Sequence, residues 1–308
     1  MKVVFMGTPD FAVYTLKALY ENDYEIEAVI SQPDKQKGRG KKFQPTPVKE
    51  YAESVGLKVY QPERIKDKEF VDFLKTIEAD FYVVVAYGQI LSEQILSFPK
   101  KASINVHGSL LPKYRGAAPI QRAIINGEKT TGITTMLMAK ECDAGDMLLK
   151  KELEILPEDT YETLHDKLAP LGAQLLIQTL KNYDELIPEK QDPELVSYAP
   201  MISKQTGRIN FNDKTENIIN LIHGLNPFPG AYATINEKTI KIFDGLSDNI
   251  ATSKEPGEVV FCDTKNGIGI KTADGVLKVT LLQESGGKKM DSTAYMRGHS
   301  LPGERFDV

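Results

Sequence analysis

Asn105 and His107 stand two residues apart in the run KASINVHGSLLPKYRGAAP, which begins at Lys101. Residues 102–107 read as a short buried strand. Side chains alternate faces along a strand, so this amide and this imidazole project to the same side. Gly108 then lets the backbone turn into a loop. In open parallel sheets, ligands bind outside the carboxyl ends of strands. The pair is therefore a polar set aimed at such a crevice. Asn and His at a strand end also serve as plain hydrogen-bonded structural groups, and spacing alone does not separate the two readings.

A third group comes from the stretch Gly132 to Asp146, where a strand runs into a loop able to bring Asp143 back to the same sheet edge. A carboxylate beside an imidazole favours its charged form. A charged His107 with the Asn105 amide would stabilise an oxyanion developing at a carbonyl carbon. Asp143 would take up the proton lost by an attacking amine, directly or through water. Cys142 would be a nucleophile only with an adjacent base, and none is evident; a packed thiol is the simpler reading. His165, His223 and His299 have no comparable context and read as structural or solvated.

Positioning such a set needs a sheet. Strands are expected at 2–6, 24–30, 57–60, 81–87 and 102–107, with 131–138 and 147–155 as an antiparallel pair at one edge. Helices are expected after Asp10, which can cap the first; at Thr46 and Pro47, as cap and first helical residue; over 66–77 and 92–97; and over 159–180. Pro170 is expected to kink or split the last. This alternation is the signature of an α/β, doubly wound, mostly parallel sheet. It ends near residue 187, and residues 188–203, rich in Pro, Glu and Gln, read as a linker. From 204 to 308 one helix (217–225) precedes short, evenly spaced strands at 231–235, 239–243, 257–261, 267–271 and 275–282, the pattern of a smaller β-barrel.

Composition narrows the function classes. The chain of 308 residues is 41% apolar and 26% charged, with a net charge of −5. That charge argues against non-specific nucleic-acid binding by the whole surface, though not against a local basic site. No apolar stretch reaches the roughly 18 residues of a membrane span. The first residues are too soon interrupted to be a secretory signal. Cys142 and Cys262 are far apart, with no Cys/His cluster to hold zinc, so a cytoplasmic protein without a structural metal is expected. Gly7-Thr8-Pro9-Asp10 sits where a dinucleotide glycine loop would stand, but it lacks the second and third glycines. That weakens an NAD-dependent oxidoreductase reading and leaves a strand-to-helix turn.

Asn105-Val106-His107, the following Ser109-Leu110-Leu111-Pro112-Lys113-Tyr114-Arg115-Gly116, and the Asp-x-Gly run ending at Gly145 together resemble the formyltransferases that use 10-formyltetrahydrofolate. The resemblance implies that Asn105, His107 and Asp143 are the catalytic set and that no metal takes part. It implies that Ser109, Leu110, Leu111 and Pro112 lie in the folate site. The loop carrying Gln89, Ile90 and Leu91 would line the pterin pocket, largely through its backbone. It further implies a Rossmann-like folate-binding domain (1–187) followed by an OB-like β-barrel domain (204–308).

MGTPDFA at the start, PDKQKGRGKKFQPTPVK at 33–49, ISKQTGRINF at 202–211, NPFPGAY at 226–232 and GGKKMDSTAYMRG at 286–298 are similar to members that formylate methionyl-initiator tRNA for translation initiation. Phe228 stands where these often have tryptophan, and Cys142 replaces a usual leucine. Lys35, Lys37, Arg39, Lys41 and Lys42 put five positive charges in eight residues. A solvated face is the ordinary reading of such a run, yet phosphates attract it and glycines let the backbone approach them. In the family this loop engages the tRNA acceptor end, and Arg39 matches its critical arginine. The loop 34–45 is expected to be mobile without RNA, and the protein to act as a monomer. Residues 204–308 carry 13 Lys and Arg against 13 Asp and Glu, so any tRNA contact there comes from local patches such as Lys288-Lys289.

Overall fold

Every residue of the strand Phe81–Val85 is buried, as a strand covered on both faces of a parallel sheet requires. The computed structural model to which it belongs describes residues 1–37, 42–299, 301 and 304–307, with only the backbone of Lys37 and Lys42. Two compact units emerge. The first comprises 1–119, 130–154 and 165–199; the second, 120–129, 155–164 and 200–308.

The strands of the first unit are β1 (Lys2–Gly7), β2 (Glu25–Ile30), β3 (Lys35–Lys37), β4 (Lys42–Gln44), β5 (Val59–Tyr60), β6 (Phe81–Val85), β7 (Ala102–His107), β8 (Thr130–Leu137) and β9 (Met147–Glu154). Seven form one sheet in the order β5-β2-β1-β6-β7-β8-β9. Pairing is parallel from β5 to β7 and antiparallel from β7 through β8 to β9. This is the expected mostly parallel sheet with an antiparallel edge. β7 lies between β6 and β8, so the strand that carries Asn105 and His107 is hydrogen-bonded on both sides, with Val84 and Met136 opposite Asn105. Pairing on both edges fixes the direction in which both side chains point.

Helices α1 (Asp10–Glu21), α2 (Pro47–Ser54), α3 (Lys68–Thr76), α4 (Glu93–Leu96), α5 (Pro119–Ile125) and α6 (Tyr161–Lys181) connect or follow these strands. Thr46 caps α2 by accepting from the Lys49 amide at 3.2 Å, with Pro47 in the first turn. Asp10 is not the cap of α1. Pro9 holds that position, and Asp10 is the first helical residue, its carboxylate accepting from the Phe11 amide at 3.0 Å. Pro170 does not split α6, which continues from Tyr161 to Lys181. Leu164, Leu168, Ala169, Ala173 and Leu176 are buried along it. Burial of one large aliphatic side chain is worth about 1.5–3 kcal/mol, so several together offset the roughly 3 kcal/mol cost of an internal proline.

The basic loop has structure at both ends: β3 and β4 pair antiparallel, from Lys35 opposite Gln44 to Lys37 opposite Lys42. The segment expected as a linker is not free up to Ala199. Met147 pairs with Glu189, and Arg115 with Tyr198.

The second unit holds α7 (Thr215–Gly224), strands β10 (Ala231–Ile235), β11 (Lys238–Asp248), β12 (Val259–Asp263), β13 (Gly267–Lys271), β14 (Val276–Glu284) and β15 (Met290–Asp291), and α8 (Ser292–Tyr295). The order is β10-β11-β14-β13-β12, with β15 on β14, antiparallel throughout. Alternate residues of β10 face a core that includes Phe211, Ile222, Ile242, Leu277 and Phe306.

Candidate active site

The carboxyl end of β7 brings the three expected residues together. Nδ2 of Asn105 donates to Oδ1 of Asp143 at 3.3 Å. Nδ1 of His107 lies 3.7 Å from the same oxygen. That is an ion-pair distance and too long for a hydrogen bond. Nε2 of His107 is 2.9 Å from the carbonyl oxygen of Tyr114. A carbonyl only accepts, so Nε2 carries a hydrogen. The ring is thus anchored on one nitrogen and presents the other beside the carboxylate.

Asp143 is held from behind. Its Oδ2 accepts the backbone N–H of Gly116 at 2.9 Å. Its φ is +52°, a left-handed conformation unusual for a non-glycine residue. The adjoining turn is crowded: a Cβ on Gly145 would collide with the carbonyl oxygen of Leu137. Cys142 donates from Sγ to Oδ2 of Asp143 at 3.4 Å. Cys142 is exposed, not the packed thiol expected of it; partial desolvation of the sulfur, then the neighbouring Asp143 charge, pushes the thiol up to about 11. A protonated thiol is a poor nucleophile.

The residues expected to contact folate divide into surface and scaffold. Ile90 is 72% exposed, and Leu110 and Pro112 are half-buried. Ser109 is fully buried and donates to the Lys113 carbonyl at 2.6 Å. Leu111 packs with Met136 and Met147, and its amide donates to Thr134 Oγ1. Leu91 is buried as well. The Gln89 side chain accepts from the Ile65 amide at 2.8 Å and donates to the Glu63 carbonyl at 3.2 Å. It ties the loop down.

Among the basic residues, Lys35 is exposed and lines a cavity of about 320 Å³ with Thr8, Asp10, Gln32 and Gln44. Lys37 and Lys42 lie on the paired strands, whereas Arg39 and Lys41 fall outside the described residues. The hairpin is anchored at Asp34, which accepts from Gln61 Nε2 at 2.6 Å and Lys49 Nζ at 2.7 Å. Those two donors, Gln61 first, hold the Asp34 carboxyl below its ordinary value.

The family pattern described as Formyl transferase matches residues 1–180, and Formyl transferase, C-terminal domain, matches 201–300. Methionyl-tRNA formyltransferase of Caldanaerobacter subterraneus subsp. tengcongensis is 49% identical over 305 residues, covering 98% of both chains. The chain belongs to the methionyl-tRNA formyltransferase family. Its Clostridium acetobutylicum relative of the same name is 49% identical over 304 residues, covering 98% of this chain and 97% of that one. In fold, the chain is similar to WlaRD, a sugar 3N-formyl transferase solved in the presence of dTDP and 5-N-formyl-THF. That likeness has a TM-score of 0.69 at 20% identity, covering 91% of this chain and 97% of the other. No helix among the described residues is long and apolar enough to cross a membrane.

One contact partner of the site carried no signal in the family motifs. Gln191, in the segment read as a linker, donates from Nε2 to the carbonyl oxygens of Asp143 and Gly145, both at 2.8 Å. Arg115 Nε donates to its Oε1 at 2.9 Å. Only the clustering of Pro, Glu and Gln marked the stretch, and that composition also describes a strap pinned by side-chain amides.

Proposed function

We propose that the protein transfers the formyl group of 10-formyltetrahydrofolate to the α-amino group of methionyl-initiator tRNA. The observation that carries this reading is the convergence of Asn105 and His107 on one oxygen of Asp143, at a strand end of a chain in this family.

The residues present fit a flat heterocycle with a hydrogen-bonding edge. Ala86 and Gly88 turn the backbone out after β6 at φ +46° and +88°, Gln89 fixes the loop, and Ile90, Leu110 and Pro112 offer apolar surface. When bound, the folate supplies the formyl group as cosubstrate. The remaining requirements fall to the chain.

Negative charge develops on the formyl oxygen as the amine adds. Asn105 has a second amide hydrogen beyond the one given to Asp143, and donates it to that oxygen. Nδ1 of His107 is the second donor. Because Nε2 already holds a hydrogen, Nδ1 donates only from the imidazolium, and the Asp143 carboxylate is the counter-charge that form requires. Asp143 also accepts the proton that the amine releases, directly or through water, and gives it back to the folate nitrogen that carried the formyl group as that C–N bond breaks and tetrahydrofolate leaves. The amine attacks in its neutral form, which an ordinary α-amino group with a pKa near roughly 8 supplies at neutral pH. The scheme calls for no metal and no covalent enzyme intermediate.

The basic hairpin Lys35–Gln44 supplies positive charge for the acceptor arm of the tRNA, with Lys35, Lys37, Arg39, Lys41 and Lys42 as phosphate partners. The 204–308 region adds contacts through local patches. The test is formyl transfer to methionyl-tRNA, with a nucleotide-linked amino sugar as the competing acceptor. Transfer to the tRNA alone, lost in folded Asn105→Ala, His107→Ala and Asp143→Ala variants, is the expected result. Near wild-type rates in all three variants, or preference for the sugar, would end this assignment.

A further inference from the structure

The strap at 188–199 meets the Tyr114–Arg115 segment through Ser197 and Ala199 and the turn that carries Asp143 through the side chain of Gln191, and the geometry of the Gln191 contact is specific. A primary amide carries two hydrogens and one carbonyl oxygen. Gln191 uses all of them: Nε2 donates to the carbonyls of Asp143 and Gly145, and Oε1 accepts from Arg115. The guanidinium only donates and the two carbonyls only accept, so the amide has one possible orientation.

These contacts form a closed circuit around one carboxylate. Gly116, directly after Arg115, holds Oδ2 of Asp143 by its backbone N–H. Arg115 is itself fixed to the strap: its amide donates to the Ser197 carbonyl at 2.9 Å, and its carbonyl accepts from Ala199 at 2.7 Å. The side chain of Asp143 and the main chain of the turn that carries it are thereby gripped from the same two segments. Asp143 needs that grip, because its left-handed backbone stores strain that an unsupported turn would release. Two donors on carbonyls two residues apart oppose that relaxation.

We propose that Gln191, oriented by Arg115, is a positioning residue for Asp143: its amide fixes the turn that aims the carboxylate at Asn105 and His107. The inference rests on the role given to Asp143 above. Gln191 touches no reacting atom; it acts through the turn.

Two substitutions separate positioning from simple tethering of the strap. Gln191→Ala removes every contact. Gln191→Glu keeps an acceptor for Arg115, as an ion pair, but removes both donors and sets an anion against two carbonyls. Full-length protein is assayed for formyl transfer to methionyl-tRNA, with thermal melting alongside. Both variants are expected to lower kcat by about ten- to a hundredfold, the scale of a slightly misplaced group, with KM for both substrates near wild type. Gln191→Glu keeps the tie between the strap and Arg115, so it is expected to fold with a melting temperature only a few degrees below wild type, and it carries the test even if Gln191→Ala folds poorly. Adding Gln191→Glu to Asp143→Asn is expected to cost nothing further, as required of a residue that acts through Asp143.

Wild-type kcat in Gln191→Glu, or a full additional loss in the Asp143→Asn background, would overturn the proposal while leaving the assigned reaction intact. Unimpaired transfer by Asp143→Asn alone would instead remove the catalytic reading and this inference with it.

Discussion

His107 is tied through Nε2 to the carbonyl oxygen of Tyr114 at 2.9 Å, which leaves Nδ1 as the nitrogen that faces Asp143. The ring's two nitrogens therefore have separate partners, and substitutions can remove them one at a time. Tyr114 has a φ of +63°, so the carbonyl that anchors His107 comes from a backbone position chosen for its direction.

Glutamine places an amide nitrogen near Nε2 of the histidine it replaces and nothing at Nδ1. His107→Gln is expected to keep the tie to Tyr114, and so to melt within a few degrees of wild type. Its kcat is expected to fall by about a hundred- to a thousandfold, the scale for losing one oxyanion donor. Melting curves and steady-state rates on the same preparations check both halves. A stable His107→Gln protein of undiminished rate would move the chemistry away from Nδ1.

Cys142 adjoins Asp143 and is exposed, yet its thiol is pushed up to about 11 by partial desolvation of the sulfur and then by the Asp143 charge. Thiolate appears only as pH approaches that value, so alkylation by iodoacetamide is expected to be slow at pH 7–8 and to accelerate about tenfold per pH unit towards 11. Cys142→Ser is expected to retain formyl transfer within a few-fold. Mass spectrometry of carbamidomethylated protein across pH gives the titration, and fast labelling at pH 7 would contradict it.

The placement of part of this site was legible locally, but the local pattern did not separate a catalytic pair from a structural one; the family resemblance singled the residues out. The alternation that placed Asn105 and His107 on one face of a strand needs only a period of two, and the all-apolar Phe81–Val85 beside it marks a buried parallel strand. The turn through Asp143 was marked by the Asp-x-Gly run that carries the resemblance, and the structure supplies its reason: a Cβ on Gly145 would collide with the Leu137 carbonyl. Gln191 was not legible, because its partners are 46 and 48 residues away and nothing in its own neighbourhood requires them. The hairpin of β3 and β4 hid for a different reason. Its glycines and like charges are turn and loop signals, and strands of three residues carry too little periodicity to register. Asp10 was expected as a cap from its type alone; the backbone entered the helix one residue earlier, at Pro9.

Lys35 is exposed on the hairpin that Asp34, Gln61 and Lys49 anchor. Replacing one phosphate-contacting lysine lowers the slope of log affinity against log salt by about 1. Lys35→Ala and Arg39→Ala are each expected to show that decrease for initiator tRNA, with weaker binding at low salt and a thermal melt unchanged from wild type. Fluorescence titrations at several salt concentrations supply the slopes. Wild-type slopes in both variants would take the hairpin out of the tRNA interface.

His165 and Asp10 form a pH-dependent pair at the start of α1. Nε2 of the buried His165 lies 3.5 Å from Oδ1 of Asp10, whose side chain is 72% exposed, and Nδ1 is 3.0 Å from Asp166. The bond to Asp10, against the opposing effect of burial and with help from Asp166, raises His165 above its ordinary value of 6.5. The bond to His165, again against burial, lowers Asp10 below 3.8. A raised histidine contributes stability that is complete below 6.5 and is lost as pH climbs through the folded value. A lowered carboxylate contributes stability that is present above 3.8 and is lost as pH falls through its folded value. The pair therefore stabilises the fold most between these limits, near pH 5–6. Because one partner is exposed, its worth is expected at about 0.2–1 kcal/mol. Asp10→Asn should accordingly lower stability at pH 5.5, with the difference from wild type shrinking as pH rises through the raised His165 value towards 9. Urea unfolding at the two pH values measures the difference, and an equal deficit at pH 9 would show that Asp10 acts through the first turn of α1 rather than through the charge of His165.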